Sequence, residues 1–169
     1  RTDPPNSIGH KRNLCCDYAK GELICHWDDD DWQARDRIRQ QVRVMQQNPQ
    51  AQATAYKSMV FARDSDHKAW RFTGDLGNLV GVSLMYKRAW WKQHQFDDSL
   101  PFGEDNNFVQ MLGDEHMAIA DLDGIVARIH PGNTCQKRDD GNLSIRDRWT
   151  PVEWDHVMAL GYEEALVCV

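Results

Sequence analysis

The spacing of apolar positions along this chain changes several times, and each change predicts an element. Gly9 to Lys20 carries helical spacing: Leu14 and Tyr18 fall four apart, as do Cys15 and Ala19, and Gly21 offers a C-terminal stop. On that pattern Cys15 and Cys16 belong to the core as small hydrophobes. Leu23 to Trp27 is a short, mostly apolar run that suits a buried strand, and it leads straight into Asp28-Asp29-Asp30-Asp31-Trp32. Gln33 to Gln47 predicts a second helix with Ile38, Val42 and Met45 as its apolar stripe, ended by Asn48-Pro49. Helix, buried strand, loop, helix is the order of α/β layering.

Thr54 to Phe61 and Trp70 to Phe72 read as strands, and Leu79 to Met85 is a further apolar run, followed by a short aromatic helix over Lys87 to His94. After a loop from Phe96 to Gly103, Glu104 to Leu112 starts a helix with Phe108 and Leu112 on one face. Met117 to Ala120 and Gly124 to Ile129 read as late strands around an Asp-Gly turn. Residues 1–8 and 131–148 are polar and loop-like, and Thr150 to Leu160 predicts a terminal helix with Pro151 in its first turn.

Composition narrows the class. The chain has 169 residues, enough for one domain with its own core, and its 41% hydrophobic and 27% charged residues are ordinary for a globular protein. The formal charge is −6, so no general basic field exists to hold nucleic acid; a polyanionic partner needs a local cation or a bound metal. No apolar run approaches the roughly 18 residues that span a bilayer, and no basic start followed by an apolar stretch marks a secretory signal. Five cysteines (Cys15, Cys16, Cys25, Cys135 and Cys168) without regular spacing point to a reducing, cytoplasmic setting, with peripheral attachment to a membrane left open.

Four consecutive carboxylates after an apolar strand repel one another unless a divalent cation or the next helix N-terminus compensates them. In open α/β sheets ligands sit beyond the carboxyl ends of strands, where this run falls. Oxygen donors of this kind suit Mg²⁺ or Mn²⁺. The bland alternative is a solvated loop that caps the following helix.

The ordered set Gly9-His10-Lys11-Arg12-Asn13, Ala19-Lys20-Gly21-Glu22, His26-Trp27-Asp28-Asp29-Asp30-Asp31-Trp32 and Phe96-Asp97-Asp98 … Gly103-Glu104-Asp105-Asn106-Asn107-Phe108 resembles family 2 glycosyltransferases. The resemblance covers residues 9 to about 130. It implies an α/β, GT-A-like (Rossmann-like) mixed sheet flanked by helices: a single domain over 1–169, with a metal and donor half at 9–48, an acceptor half at 79–130 and a C-terminal loop and helix at 131–169. It implies a nucleotide-sugar donor, UDP-sugar favoured, and a glycan, lipid or protein acceptor. Asp30 and Asp28 would ligate Mn²⁺ or Mg²⁺, Asp28 and Asp29 would lie near the nucleotide with Arg12, Asp105 would be the general base, and Glu104 would support it or bind the acceptor.

Such a reaction needs a cation opposite the leaving diphosphate and a carboxylate to deprotonate the acceptor alcohol, and one base opposite the leaving group gives inversion. In some GT-A enzymes a late histidine completes the metal shell, which nominates His130, although a lone histidine is more often simply hydrogen-bonded. Trp90 and Trp91 are candidates for a sugar-stacking platform, with at least one expected in the core.

The family's opening strands, which hold the base and ribose, have no counterpart before Gly9, so the expected domain is N-terminally truncated, with either a missing upstream segment or self-association at an exposed strand edge. Two other readings stay open. One is a degenerate GT-A module that binds without catalysis. The other is a metal-dependent phosphotransferase or hydrolase, which the aspartate run alone would support.

Overall fold

The computed structural model describes residues 7–75, 79–120, 124–133 and 149–162. Expectations for residues 1–6, the Asp-Gly turn within 121–123, the loop over 134–148 with Cys135, and the terminal 163–169 with Cys168 lie outside the described residues.

Two mixed sheets flanked by helices make up the fold, as the α/β reading expects. The strands are β1 (Leu23–Cys25), β2 (Trp32–Gln33), β3 (Ala53–Tyr56), β4 (Ser58–Arg63), β5 (Lys68–Thr73), β6 (Met85–Lys87), β7 (Met117–Ala120), β8 (Ile125–Arg128) and β9 (Trp149–Val152). The first sheet runs β1-β6-β3-β7 and the second β2-β8-β4-β5-β9. The stretch read as one strand over Thr54 to Phe61 is instead two, broken at Lys57. β3 pairs in parallel with β7, and β4 in parallel with β8, so one strand pair crosses from the first sheet to the second. β7 and β8 are therefore not the hairpin that an Asp-Gly turn suggests. Parallel strands covered on both faces read as nearly continuous apolar runs, and every residue of β3 is buried.

The helices are α1 (Ile8–Tyr18), α2 (Arg37–Gln47), α3 (Arg88–Trp91), α4 (Glu104–Leu112) and α5 (Trp154–Ala159). Ser7 caps α1 by accepting from the His10 amide at 3.1 Å. The apolar pairs of α1 turn outward: Leu14 is 48% and Tyr18 79% exposed, and Cys15 is exposed while Cys16 is buried. Its inward face is fixed by Asn13, whose amide donates to the Phe96 carbonyl at 2.8 Å and accepts from the Phe96 amide and Trp91 Nε1, both at 3.0 Å. Two hydrogen bonds to the distant Phe96 loop and one from Trp91 of α3 outweigh the small apolar gain of turning Leu14 inward.

A similar correction applies to α2. It begins at Arg37 rather than Gln33, because Trp32 and Gln33 pair with Val126 and Ile125 as a strand. Arg37, Gln41 and Met45 are its buried residues, and Ile38 is half exposed. The terminal helix is also shorter than expected, since Trp149 to Val152 pairs with β5 and puts Pro151 opposite Trp70 on an edge strand, where a missing N–H is tolerated.

Tyr86, Phe96 and Phe108 form the aromatic centre of the first sheet's core, with Phe96 and Phe108 stacked 4.4 Å apart. That contact holds α4 against the end of β1.

Candidate functional site

Two segments at the carboxyl edge of the first sheet carry the charge. β1 delivers Asp28 to Asp31 directly past its end. α4 delivers Glu104 and Asp105 in its first turn, where the helix dipole favours carboxylates. Gly103 precedes them at φ 80°, a left-handed conformation suited to glycine, and swings the chain into the helix. One cleft of about 1570 Å³ is lined by all four aspartates and by Arg12, Gly81, Glu104 and Asp105.

Within the run, Asp28, Asp30 and Asp31 offer carboxylate oxygens that lie within 4.8 Å of one another. This all-oxygen cluster fits a hard divalent cation. Asp29 is exposed and lies outside that group. Asp31, which a D-x-D pattern leaves out, is held by the Arg128 amide at 3.1 Å. Burial, and then repulsion from Asp28 and Asp30, pushes its carboxyl up to about 7 despite that hydrogen bond. Burial likewise raises Asp28, with Arg12 acting against the shift.

His130 does not line the cleft, but its Nε2 lies 3.0 Å from Asp30 Oδ2. The Gly132 amide donates to its Nδ1 at 3.1 Å, so in this arrangement the ring proton sits on Nε2 and points at Asp30.

Asp105 lines the same cleft from the first turn of α4. Its Oδ1 accepts from the Asn106 amide at 2.8 Å, and desolvation, then the neighbouring Glu104, raises its carboxyl above the usual range. A Cβ on Gly81 would overlap the Asp105 carboxylate, so only glycine fits there. Glu104 is 4% exposed and bound to Arg12 Nε at 2.9 Å. Arg12 also places Nη1 2.6 Å from His26 Nδ1. Arg12 therefore ties α1, α4 and the end of β1 together, and its guanidinium is the cation nearest both acidic groups.

A layer beneath these groups has no signature in the sequence. His26 is buried, and its pKa falls well below the ordinary histidine value through burial and then the Arg12 charge, so the ring is neutral. Arg37 is fully buried; it donates to the carbonyls of His26 at 2.9 Å and Val82 at 3.1 Å, to Gln33 Oε1 at 2.6 Å and to Gln41 Oε1 at 3.1 Å. A single side chain thus grips His26, two residues before the acidic run, and Val82, the residue after Gly81.

The tandem tryptophans are not part of the cleft. Trp91 is core, and Trp90 stacks on His94 at 3.9 Å. The exposed aromatics that do line it are Trp27 and Phe102, 52% and 65% exposed. Their adjacency to Asp28 and Gly103 was the available signal.

No protein-family profile matches the chain, and no curated protein matches it in sequence. Solved structures do match in fold. S. aureus TarS, residues 1–349, superposes with a TM-score of 0.54 at 15% identity, covering 72% of this chain and 40% of that one. The complex of TarS 1–349 with UDP-GlcNAc gives a TM-score of 0.59 at 15% identity over 79% and 42%, and the complex with UDP gives 0.55 over 74% and 41%. The chain spans about two fifths of the length of these TarS chains. Two mixed sheets, helices on their faces and an acidic cleft at the strand ends accordingly make this a glycosyltransferase-like fold.

Proposed function

We propose that the chain is the catalytic portion of a metal-dependent, inverting glycosyltransferase of the family 2 type, which moves a sugar from a UDP-sugar to an acceptor hydroxyl. The observation that carries this reading is the one cleft lined both by a three-carboxylate cluster and by Asp105. That TarS has been crystallised with UDP-GlcNAc and UDP supports the choice of donor.

Asp28, Asp30 and Asp31 would hold Mn²⁺ or Mg²⁺, with His130 orienting Asp30 through its Nε2 proton. The cation supplies neutralisation of the charge that develops on the leaving diphosphate. Asp105, raised by burial, is a carboxylate tuned to accept the acceptor's proton, and the Arg12–Glu104 pair fixes the first turn of α4 beneath it. Attack assisted by one base across from the donor inverts the anomeric centre. Trp27 and Phe102 offer aromatic faces for sugar rings.

Calorimetric titration with Mn²⁺ and a panel of UDP-, GDP- and dTDP-sugars tests the reading. Metal-dependent binding of a UDP-sugar, abolished by Asp30→Ala, is the expected result. Cation binding with no nucleotide affinity would point instead to a metal-dependent phosphotransferase, and absence of both to a non-catalytic module.

A further inference from the structure

At the opposite end of β1 the charge reverses. Leu23, its first residue, lines a second cavity of about 710 Å³, whereas Cys25, its last, lines the acidic cleft. Four cations, Lys20, Lys87, Arg88 and Lys92, surround this second cavity with Glu22 as the one carboxylate. Val42 and Met45 of α2 contribute apolar surface. The cations come from three places: the α1–β1 connection, the end of β6 and the α3 region.

Gathering four like charges in a chain of net charge −6 is electrostatically unfavourable without a counter-charge. Among the described residues, none of the four is in ion-pair contact with a carboxylate. Among the described residues, the Lys87 ammonium donates to the Pro49 carbonyl, at 3.4 Å. Arg88 is half-buried, and its Nε has no hydrogen-bond partner among the described residues.

We propose that this cavity binds a phosphate oxyanion, carried either by a soluble phosphate ester or by the headgroup of an anionic lipid. Arginine supplies planar donors and the lysines act as point charges, a combination suited to the several oxygens and the double charge of phosphate. The site lies at the far end of β1 from the aspartates, so it is distinct from any donor diphosphate position and stands whether or not the transferase reading holds.

An NMR titration of the metal-free protein with inorganic phosphate, in EDTA, is the direct test. Amide shifts at Lys20, Leu23, Arg88 and Lys92 are expected. The exposed double variant Lys20→Gln/Lys92→Gln, which leaves the core untouched, is expected to weaken binding about tenfold or more, as is Arg88→Gln. Sedimentation with phosphatidylglycerol–phosphatidylcholine vesicles, against phosphatidylcholine alone, separates the sources. Pelleting that requires phosphatidylglycerol and is lost in the double variant identifies a lipid headgroup, and phosphate shifts without pelleting identify a soluble ester. The proposal is overturned if millimolar phosphate shifts none of these amides and no vesicle is bound, or if the double variant binds as the wild type does.

Discussion

Arg37 carries its charge into the core with no carboxylate in ion-pair contact among the described residues, held by oxygens of His26, Gln33, Gln41 and Val82 and stacked 5.4 Å from the Trp27 ring. Truncating it strands those acceptors, so Arg37→Met is expected to cost about 3–5 kcal/mol in a urea denaturation measurement, with Arg37→Lys recovering only part because an ammonium lacks the fork. Asp105 calls for a different readout. If it takes the acceptor's proton, Asp105→Asn keeps donor affinity and lowers turnover by roughly 10²–10⁴-fold, which steady-state kinetics with a separate binding isotherm can resolve. Full activity in that variant removes the assignment. The acidic run was legible because clustered carboxylates are conspicuous in sequence, and the Glu104-Asp105 pair through the resemblance to family 2 glycosyltransferases. Arg37 and His26 were not, since nothing in a one-dimensional string reveals that a polar side chain will be buried.

Among the elements, α4 shows the best agreement with its pattern and α1 and α2 the least. Phe108 and Leu112 face the core as their spacing requires, and Phe108 is fully buried against Phe96 and Tyr86. Phe108→Ala is expected to cost about 3–5 kcal/mol in the same assay, by leaving a cavity where α4 docks. In α1 and α2 the inward faces are Asn13 and Arg37 with Gln41, chosen by hydrogen bonds to loops distant in sequence. Periodicity arguments weigh apolar residues alone, and so placed Met45 and Cys16 correctly but missed the polar residues that share those faces. The same limitation hid the break at Lys57, because strands that change sheet keep their apolar character across the bend.

At the scale of the whole molecule, three carboxylates lining one cleft are raised by burial: Asp28, Asp31 and Asp105. A group whose folded pKa exceeds its unfolded value stabilises the fold below the unfolded pKa, and that stability is lost as pH rises through the folded one. For Asp31 the window runs from 3.8 to about 7. His26, kept neutral by burial, acts in the other direction and destabilises the fold as pH falls below 6.5. Comparing wild type with Asp31→Asn cancels the histidine. The thermal midpoint of the wild type relative to that variant is expected to fall between about pH 4 and about pH 7 and to level off above, and saturating Mn²⁺ to recover it only at the higher pH. A difference that does not change with pH would rule out a raised Asp31.

The sequence by itself determined the α/β class, the helix at Glu104 to Leu112, the strand leading into Asp28 to Asp31, and the acidic run as a candidate site, because these follow from local periodicity and from clustered like charges, while Glu104 and Asp105 came from the family resemblance. Only the tertiary structure decided that Asp31 completes a three-oxygen group with Asp28 and Asp30, and that Arg12 ties Glu104 to His26. It likewise decided that Arg37 lies beneath the cleft and that four cations meet at the other end of β1. Each of these depends on contacts between residues far apart in the chain, and the free energy that selects them comes from pairing buried polar groups, which short-range patterns do not encode.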